Sequence, residues 1–250
     1  MNRSTLIAST VVTAAALVLV VPPMLKAKEP APGPLVTTTT ASDVCTGIPG
    51  CTKVATVDVD GDDQPDQVGI VSNKPAAGGT ITVQVQTATG QTMQTTSTNV
   101  RWFAKSPWFG AAPVDGEAGV ELVIGDQMGA HFQQFRVITY RDGKLVTLKA
   151  PAAGEYKSTN TDPTDRWGVD GSYSFNMGIF RKESAEGEVT VTMKTAFRSD
   201  SGKGHTGQTR VYRWYSGEWV TVSTKNVRYT SDKDAFALSG WHVKGLRRYA

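Results

Sequence analysis

Residues 58–66 carry carboxylates at alternate positions of a short turn that leads into an apolar segment. Asp58, Asp60, Asp62 and Asp66 stand at positions one, three, five and nine of this first loop, and Gln64 stands at position seven. Calcium takes six to eight oxygen ligands at roughly 2.3–2.6 Å, so a short loop binds it by turning alternate side chains inward. Without a cation, carboxylates this close would repel one another. The spacing therefore predicts a Ca²⁺ site in which the four aspartates supply carboxylate oxygens and Gln64 supplies its carbonyl oxygen.

A second loop, residues 113–121, resembles the first loop but lacks part of the ligand set. Asp115, Glu117 and Glu121 fall at positions three, five and nine, whereas Pro113 at position one offers no side-chain oxygen. An apolar segment follows both loops. Because ligand number and charge set calcium affinity, we expect a structural turn here, with a weak second ion site as the alternative.

Beyond Cys51, runs of β-branched and aromatic residues alternate with glycine and aspartate turns, which is typical of strands. Residues 80–87 and 187–193 alternate apolar and polar side chains, and this places valines on one face of a half-buried strand. Residues 136–148 and 210–222 match each other and predict two hairpins, in which the aromatic residue before the turn pairs with Leu145 or Trp219. We therefore expect an all-β domain.

The first loop and the strand after it resemble the FG-GAP or VCBS repeat, the calcium-loop unit of integrin-type β-propellers, which bacteria also use in secreted and surface proteins. The resemblance covers residues 58–71 and, in part, residues 113–124. It implies that the calcium ligands are those named above: Asp58, Asp60, Asp62, Gln64 and Asp66. Position six, commonly glycine in the family, is Asp63, and aspartate tolerates the left-handed backbone that this position tends to need.

The resemblance also implies a repeat architecture. About 200 residues remain for it, which allows four or five blades at roughly 40 to 50 residues per four-stranded blade. We expect a small or open β-propeller-like repeat assembly. The alternative is a β-sandwich of two related halves, which the 74-residue offset between the matching hairpins favours.

Residues 1–27 predict export. A nearly uncharged stretch from Leu6 to Val21 follows Met1-Asn2-Arg3. Its length, about 16 to 20 residues, lies between that of a signal peptide core and that of a membrane span. We expect an apolar helix that is a cleaved signal peptide or, with a slight preference, an uncleaved anchor. Residues 28–44, rich in proline and threonine, predict a stalk without a core, and residues 45–250 form the β-repeat domain.

Two cysteines, Cys45 and Cys51, follow the stalk. In an exported protein this pair predicts a disulfide, with two buried thiols as the alternative.

No catalytic residue is predicted. His131, His205 and His242 are scattered, and no G-x-S-x-G turn supplies a serine nucleophile, although Asp126 lies close before His131. Trp108 stands in a loop-like context and is a candidate ligand contact, whereas tryptophans of small β domains mostly fill the core. The net charge of +3 is spread along the chain, which argues against nucleic-acid binding.

We therefore expect a non-enzymatic, exported or surface-anchored calcium-binding β-repeat module. It would bind an envelope protein or glycan and contact the membrane through its N-terminal segment only. The alternative is an exported hydrolase acting on cell-wall polysaccharide. A cavity that gathers two carboxylates or a Ser/His pair away from the first loop would favour the hydrolase.

Overall fold

A computed structural model describes residues 42–151 and 165–250, where the chain forms fourteen β-strands, one short α-helix and one 3-10 turn. The first seven strands are β1 (Cys51–Val57), β2 (Asp66–Asn73), β3 (Gly79–Gln86), β4 (Thr92–Val100), β5 (Trp108–Ala112), β6 (Glu121–Met128) and β7 (Phe132–Arg141). The others are β8 (Lys144–Thr147), β9 (Trp167–Gly171), β10 (Phe175–Glu183), β11 (Val189–Arg198), β12 (His205–Tyr215), β13 (Glu218–Tyr229) and β14 (Gly240–His242). The 3-10 turn is Pro75–Ala77, and the helix α1 is Asp232–Phe236.

The strands form two open sheets. The first sheet has the order β1-β2-β3-β4, and the second, of ten strands, follows the path β13-β12-β11-β10-β9-β7-β6-β5, with β8 on β7 and β14 on β10. All pairings within these sheets are antiparallel except that of β14 with β10. The prediction of an all-β domain is confirmed.

Three successive four-stranded meanders make up most of these sheets: β1 to β4, β5 to β8, and β10 to β13. The short strand β9 pairs with both β7 and β10 and so joins the second meander to the third. The propeller-like arrangement and the sandwich both stay predictions, as does the repeat family.

The two matching hairpins form as predicted. Tyr140 pairs with Leu145 in β7–β8, and Trp214 pairs with Trp219 in β12–β13, so the register is the same in both. The two Trp rings meet edge to face at 5.1 Å. Both residues of each turn have positive φ, which is the requirement of a type I′ turn: Asp142 (49°), Gly143 (79°), Ser216 (52°) and Gly217 (85°).

The core takes alternate residues of the strands, as the period-two pattern predicts. Val83 and Val85 of β3 and Val191 of β11 are buried. One hydrophobic cluster contains residues of both sheets, from Val83 in the first to Trp167 in the second. The two sheets therefore share a core, to which Val59 of the first loop and Val114 of the second loop also belong.

Cys45 and Cys51 form the predicted disulfide, with an S–S distance of 2.00 Å. It packs on Gly69 of β2, where an added Cβ would lie 2.9 Å from the sulfur of Cys51. Val44, the last residue of the predicted stalk, is buried beside it, and its N–H donates to the side-chain oxygen of Gln67. The disulfide thus fixes the entry of the chain into the first sheet.

The predicted signal peptide or anchor, with its apolar helix, and nearly all of the stalk lie outside the described residues. Within residues 42–151 and 165–250, no helix has the length and hydropathy needed to cross a membrane.

Candidate metal centre

The first loop brings three of its aspartates together. Asp58, Asp60 and Asp66 each offer a carboxylate oxygen, and these three oxygens lie within 4.8 Å of one another. The side chain of Asp66 is fully buried, and Asp58 and Asp60 are half-buried. Oxygen ligands grouped at this distance suit a hard divalent cation. The arrangement can hold a metal ion; the sequence spacing, and not the geometry, is what points to calcium.

Asp66 closes the loop on itself. Its Oδ2 accepts hydrogen bonds from the N–H groups of Val59 (2.8 Å) and Asp60 (3.3 Å), and its Oδ1 accepts one from Ala88 (2.9 Å) beyond β3. Hydrogen bonds to an ionised carboxylate are stronger than neutral ones. Since a carboxylate has about four lone-pair sites, three are used by the backbone and about one is left for a cation.

Asp58 shapes the turn. Its Oδ1 accepts from the N–H of Gly61 (2.7 Å) and its Oδ2 from that of Asp63 (3.0 Å). Both residues that donate have left-handed backbones, with φ of 80° at Gly61 and 63° at Asp63. The expectation that Asp63 adopts this conformation in place of glycine is confirmed.

Asp60 is the member of the group that most lacks a partner. Its Oδ1 is buried and has no hydrogen-bond partner among the described residues. Burial raises the pKa of Asp60 above its ordinary value, and the charges of Asp66, Asp62 and Asp58 raise it further. A bound cation would supply the missing partner and reverse this electrostatic effect.

Asp62 and Gln64 lie beside this group and are exposed. The Oδ1 of Asp62 accepts from the backbone N–H of Gln64 (2.8 Å), and the two side chains approach to 3.5 Å. Asp62 is outside the group of three carboxylates. The ligand roles of Asp62 and Gln64 stay predictions.

The second loop repeats the closure of the first loop. The Oε2 of Glu121 accepts from the N–H of Val114 (2.5 Å), just as Asp66 accepts from Val59, and each pair is seven residues apart. The Oε1 of Glu121 accepts from the hydroxyl of Thr139 (2.9 Å). Both valines are buried. The position-nine carboxylate therefore ties the start of the loop to its end in both copies.

An arginine from β7 supplies a positive charge beside a carboxylate of the second loop. Arg141, at the end of β7, pairs with the Oδ2 of Asp115, whose side chain is inaccessible to solvent. The Oδ1 of Asp115 accepts from the backbone of Glu117 (2.9 Å), and the Glu117 side chain is exposed. This arrangement fits a structural turn. Ion binding by Asp115, Glu117 and Glu121 stays a prediction.

Buried carboxylates make the second loop sensitive to pH. Burial, together with the nearby charge of Asp115, raises the pKa of Glu121 to about 7. Burial also raises the pKa of Asp115, although the hydrogen bond from the Glu117 backbone and the Arg141 guanidinium oppose this. The Glu121 carboxyl is therefore partly protonated near neutral pH.

The two loops pack directly against each other. The N–H of Val120 donates to the carbonyl oxygen of Asp58 (3.0 Å). Gly119, at φ 87°, lies so close that an added Cβ would be 2.4 Å from the carbonyl oxygen of Val59. Gly61 faces Ala118 in the same way, at 2.6 Å. Glycine at these two positions lets the loops meet.

The other candidates are distributed over the second sheet. Trp108 begins β5, is half-buried and packs against the core, and its carbonyl accepts from the Arg247 guanidinium. Its role as a ligand contact stays a prediction. His205 is buried, and the Nε2 of His242 contacts the carbonyl of Leu238 at 2.8 Å.

His131 has a partner that sequence reasoning missed. Its Nδ1 lies 3.0 Å from both carboxylate oxygens of the buried Asp170. Asp126, which precedes His131 in the sequence, instead pairs with Arg136 and Arg166. The pairing of β7 with β9 sets Asp170 opposite Phe132. No local motif joins residues so far apart, and strand register would have been the required signal.

His131 and two serines line a cavity of about 580 Å³ away from both loops. The Ser172 hydroxyl donates to the carbonyl of Phe175 and accepts from its N–H. The Ser239 hydroxyl donates to the Asn176 amide oxygen at 2.6 Å. Neither hydroxyl is hydrogen-bonded to the His131 ring in the part of the chain that the structure describes.

No protein-family model matches this chain, and no curated protein matches it.

Proposed function

We propose that this chain is an exported, non-enzymatic β-repeat module that binds calcium in its first loop and binds an envelope protein or glycan. The observation that carries the calcium site is the convergence of Asp58, Asp60 and Asp66, with one buried oxygen of Asp60 left without a partner. An orphaned buried carboxylate oxygen is costly unless a cation or a donor satisfies it.

Calcium accounts for this site better than magnesium does. Three carboxylates on an irregular loop, with Asp62 and Gln64 at its exposed side, offer enough oxygens for a coordination number of six to eight. Magnesium requires near-ideal octahedral geometry and gives up its waters reluctantly. Export, which residues 1–27 predict, would place the loop where calcium is plentiful.

The cation would act on the fold and not on a substrate. Its charge would remove the repulsion among the three aspartates and fix the first loop, whose Asp58 carbonyl already accepts from the second loop. A carboxylate bound to a cation keeps a low pKa, which suits it poorly for acid catalysis. For this reason we propose a binding module whose partner-binding surface lies outside the first loop.

The loops support the repeat assignment. The position-nine carboxylate accepts from the position-two N–H in both, through Asp66 and Val59 in one copy and Glu121 and Val114 in the other. We propose that the three meanders are diverged copies of a VCBS-type unit, the first of which keeps its calcium ligands. In the second copy, Arg141 takes over the electrostatic role of the cation.

One observation favours the alternative, an exported hydrolase acting on cell-wall polysaccharide: His131 and Ser172 line the same cavity. The Ser172 hydroxyl is held by Phe175, however, and a nucleophile needs a hydrogen bond to its base. Release of reducing sugar from purified wall polysaccharide by the wild type, and its loss in His131→Ala, would establish the hydrolase and displace the binding module.

Calorimetric titration tests the calcium site directly. We expect wild type to bind one calcium ion with far higher affinity than magnesium, and Asp60→Asn to lose that binding. Asp63→Asn is the matched control, because Asp63 is exposed, contributes no atom to the group of three carboxylates and has a backbone that asparagine tolerates. Equal heats for wild type and Asp60→Asn would show that the three aspartates do not bind the ion.

A further inference from the structure

The cavity beside the turn between β9 and β10 has a polar wall built from buried groups. Asn176 and Ser239, which line it, are 1% and 4% exposed. The Asn176 amide accepts from the Ser239 hydroxyl and donates one N–H to the carbonyl of Ser172 (3.0 Å). An amide nitrogen has two N–H donors. The second N–H has no hydrogen-bond partner among the described residues.

His131 adds an oriented group to the same wall. The Asp170 side chain is 2% exposed, and it contacts Nδ1 of a His131 side chain that is 53% exposed. Asp170 is itself fixed, because its Oδ1 also accepts from the N–H of Ser172 (3.1 Å). A carboxylate at Nδ1 places the proton there and leaves the outer nitrogen, Nε2, as an acceptor. Asp170 thus holds an imidazole that is about half exposed and has Nε2 as its acceptor.

Exposed aromatic rings form the rim. Tyr173 is 68% exposed and Phe236 is 39% exposed, with ring centroids 6.5 Å apart. The guanidinium of Arg198 lies 3.7 Å from the centroid of the Tyr173 ring, and Arg198 is anchored by Asp232 (2.7 Å). The Arg198 guanidinium therefore holds a Tyr173 ring that is mostly exposed to solvent. A ring ordered in advance loses little conformational entropy when a ligand stacks on it.

The charge of the cavity selects the chemistry of its ligand. The lining residues include no lysine, arginine, aspartate or glutamate, and the carboxylate of Asp170, which is 2% exposed, is hydrogen-bonded to His131. An ionic ligand would bring a charge that nothing in this lining compensates. A ligand that fits has hydroxyl groups for the polar wall and an apolar C–H face for the rings. Those are the properties of a neutral sugar.

We propose that this cavity binds a neutral oligosaccharide. Tyr173 and Phe236 stack on a sugar ring, while Nε2 of His131 and the Asn176 amide hydrogen-bond to its hydroxyl groups. This inference rests on the proposed binding function and selects a glycan, not a protein, as the partner.

Calorimetric titration of the full chain with cellotriose, maltotriose and chitotriose in millimolar calcium tests this site. Wild type binds at least one of the three trisaccharides, and Tyr173→Ala or His131→Ala weakens that binding about tenfold or more. Tyr215→Ala is the matched control, because Tyr215 is 63% exposed and also lies beside an arginine, Arg213 at 5.7 Å, but is not in the cavity. We expect the Tyr215→Ala variant to bind the trisaccharides with wild-type affinity.

Two outcomes overturn the inference: none of the trisaccharides binds to the wild type, or Tyr173→Ala and Tyr215→Ala bind equally well. The melting temperature of each sample is measured with calcium and with chelator. A calcium-dependent melting temperature without saccharide binding overturns this inference alone. A melting temperature that is the same with calcium and with chelator overturns the calcium site, whether or not a saccharide binds.

Discussion

The backbone N–H of Val120 donates a 3.0 Å hydrogen bond to the carbonyl oxygen of Asp58. Val120 belongs to the second loop and Asp58 is the first ligand position of the first loop. The hydrogen bond ties the backbone of Asp58, whose carboxylate lies beside those of Asp60 and Asp66, to the second loop. The geometry of the ion site therefore depends on a loop that is not part of it.

Gly119→Ala tests this dependence. The backbone at Gly119 is left-handed, and a Cβ there would meet the carbonyl oxygen of Val59 at 2.4 Å, so the two loops have to move apart. We expect a loss of about 2–4 kcal/mol in the free energy of unfolding by urea, from backbone strain and steric overlap together. We also expect weaker calcium binding in the same variant.

Gly90→Ala separates the clash from the backbone cost. Gly90 has φ 89°, close to the 87° of Gly119, but an added Cβ there meets nothing within 4 Å. It should cost about 1–2 kcal/mol and leave calcium binding unchanged. If both variants lose the same stability and bind calcium equally, the contact between the loops has no energetic role.

Arg141→Met leaves the buried carboxylate of Asp115 without its cation. Breaking a buried pair by removing one partner costs about 3–5 kcal/mol, and we expect a loss of this size in urea unfolding. Arg213→Met is the control, because the Arg213–Glu188 pair is about half exposed on both sides and is worth at most about 1 kcal/mol. The second substitution Asp115→Asn should restore part of the loss in Arg141→Met. Equal losses in the two arginine variants would contradict the assigned role of Arg141.

Glu121 makes stability fall as pH rises toward neutrality. Its folded-state pKa of about 7 lies above the ordinary value of 4.5, so the folded state holds the proton more tightly than the unfolded state does. The associated stability is fully present below about pH 4.5 and is lost as pH rises through about 7. In urea unfolding at several pH values, Glu121→Gln should flatten this slope and be more stable than wild type above pH 7. Glu218→Gln, on the exposed edge of β13, should keep the wild-type slope.

Features that depend on residues a few positions apart could be predicted from the sequence. The alternation of aspartates in the first loop predicted the convergence of Asp58, Asp60 and Asp66, and the turn residues of the two hairpins predicted their shared register. The disulfide of Cys45 and Cys51 also closes a short local loop. In each case, steric and hydrogen-bonding rules act within one turn or hairpin.

Features that depend on strand register could not be predicted in the same way. Arg141 and Asp115 are 26 residues apart, and His131 and Asp170 are 39 apart. His131 meets Asp170 because β7 and β9 are aligned at one register out of several that the alternating pattern allows, and a shift of one residue would turn the side chains to opposite faces. Arg141 meets Asp115 because the pairing of β6 with β7 brings the end of β7 to the second loop. The joining of two meanders through β9 has the same origin, because it depends on the pairing of β9 with both β7 and β10.

Melting temperature in calcium and in chelator tests the central claim, that the first loop is a cation site that stabilises the fold. At about a hundred times the dissociation constant, a ligand of the folded state adds about 2.7 kcal/mol, which is roughly 5–10 °C for a domain of this size. We expect that rise in wild type and in Asp63→Asn. In Asp60→Asn we expect no rise, and a melting temperature in chelator at least as high as that of wild type, because one repelling charge is gone. A wild type that melts at the same temperature with and without calcium, or an Asp60→Asn variant that responds as wild type does, would contradict it.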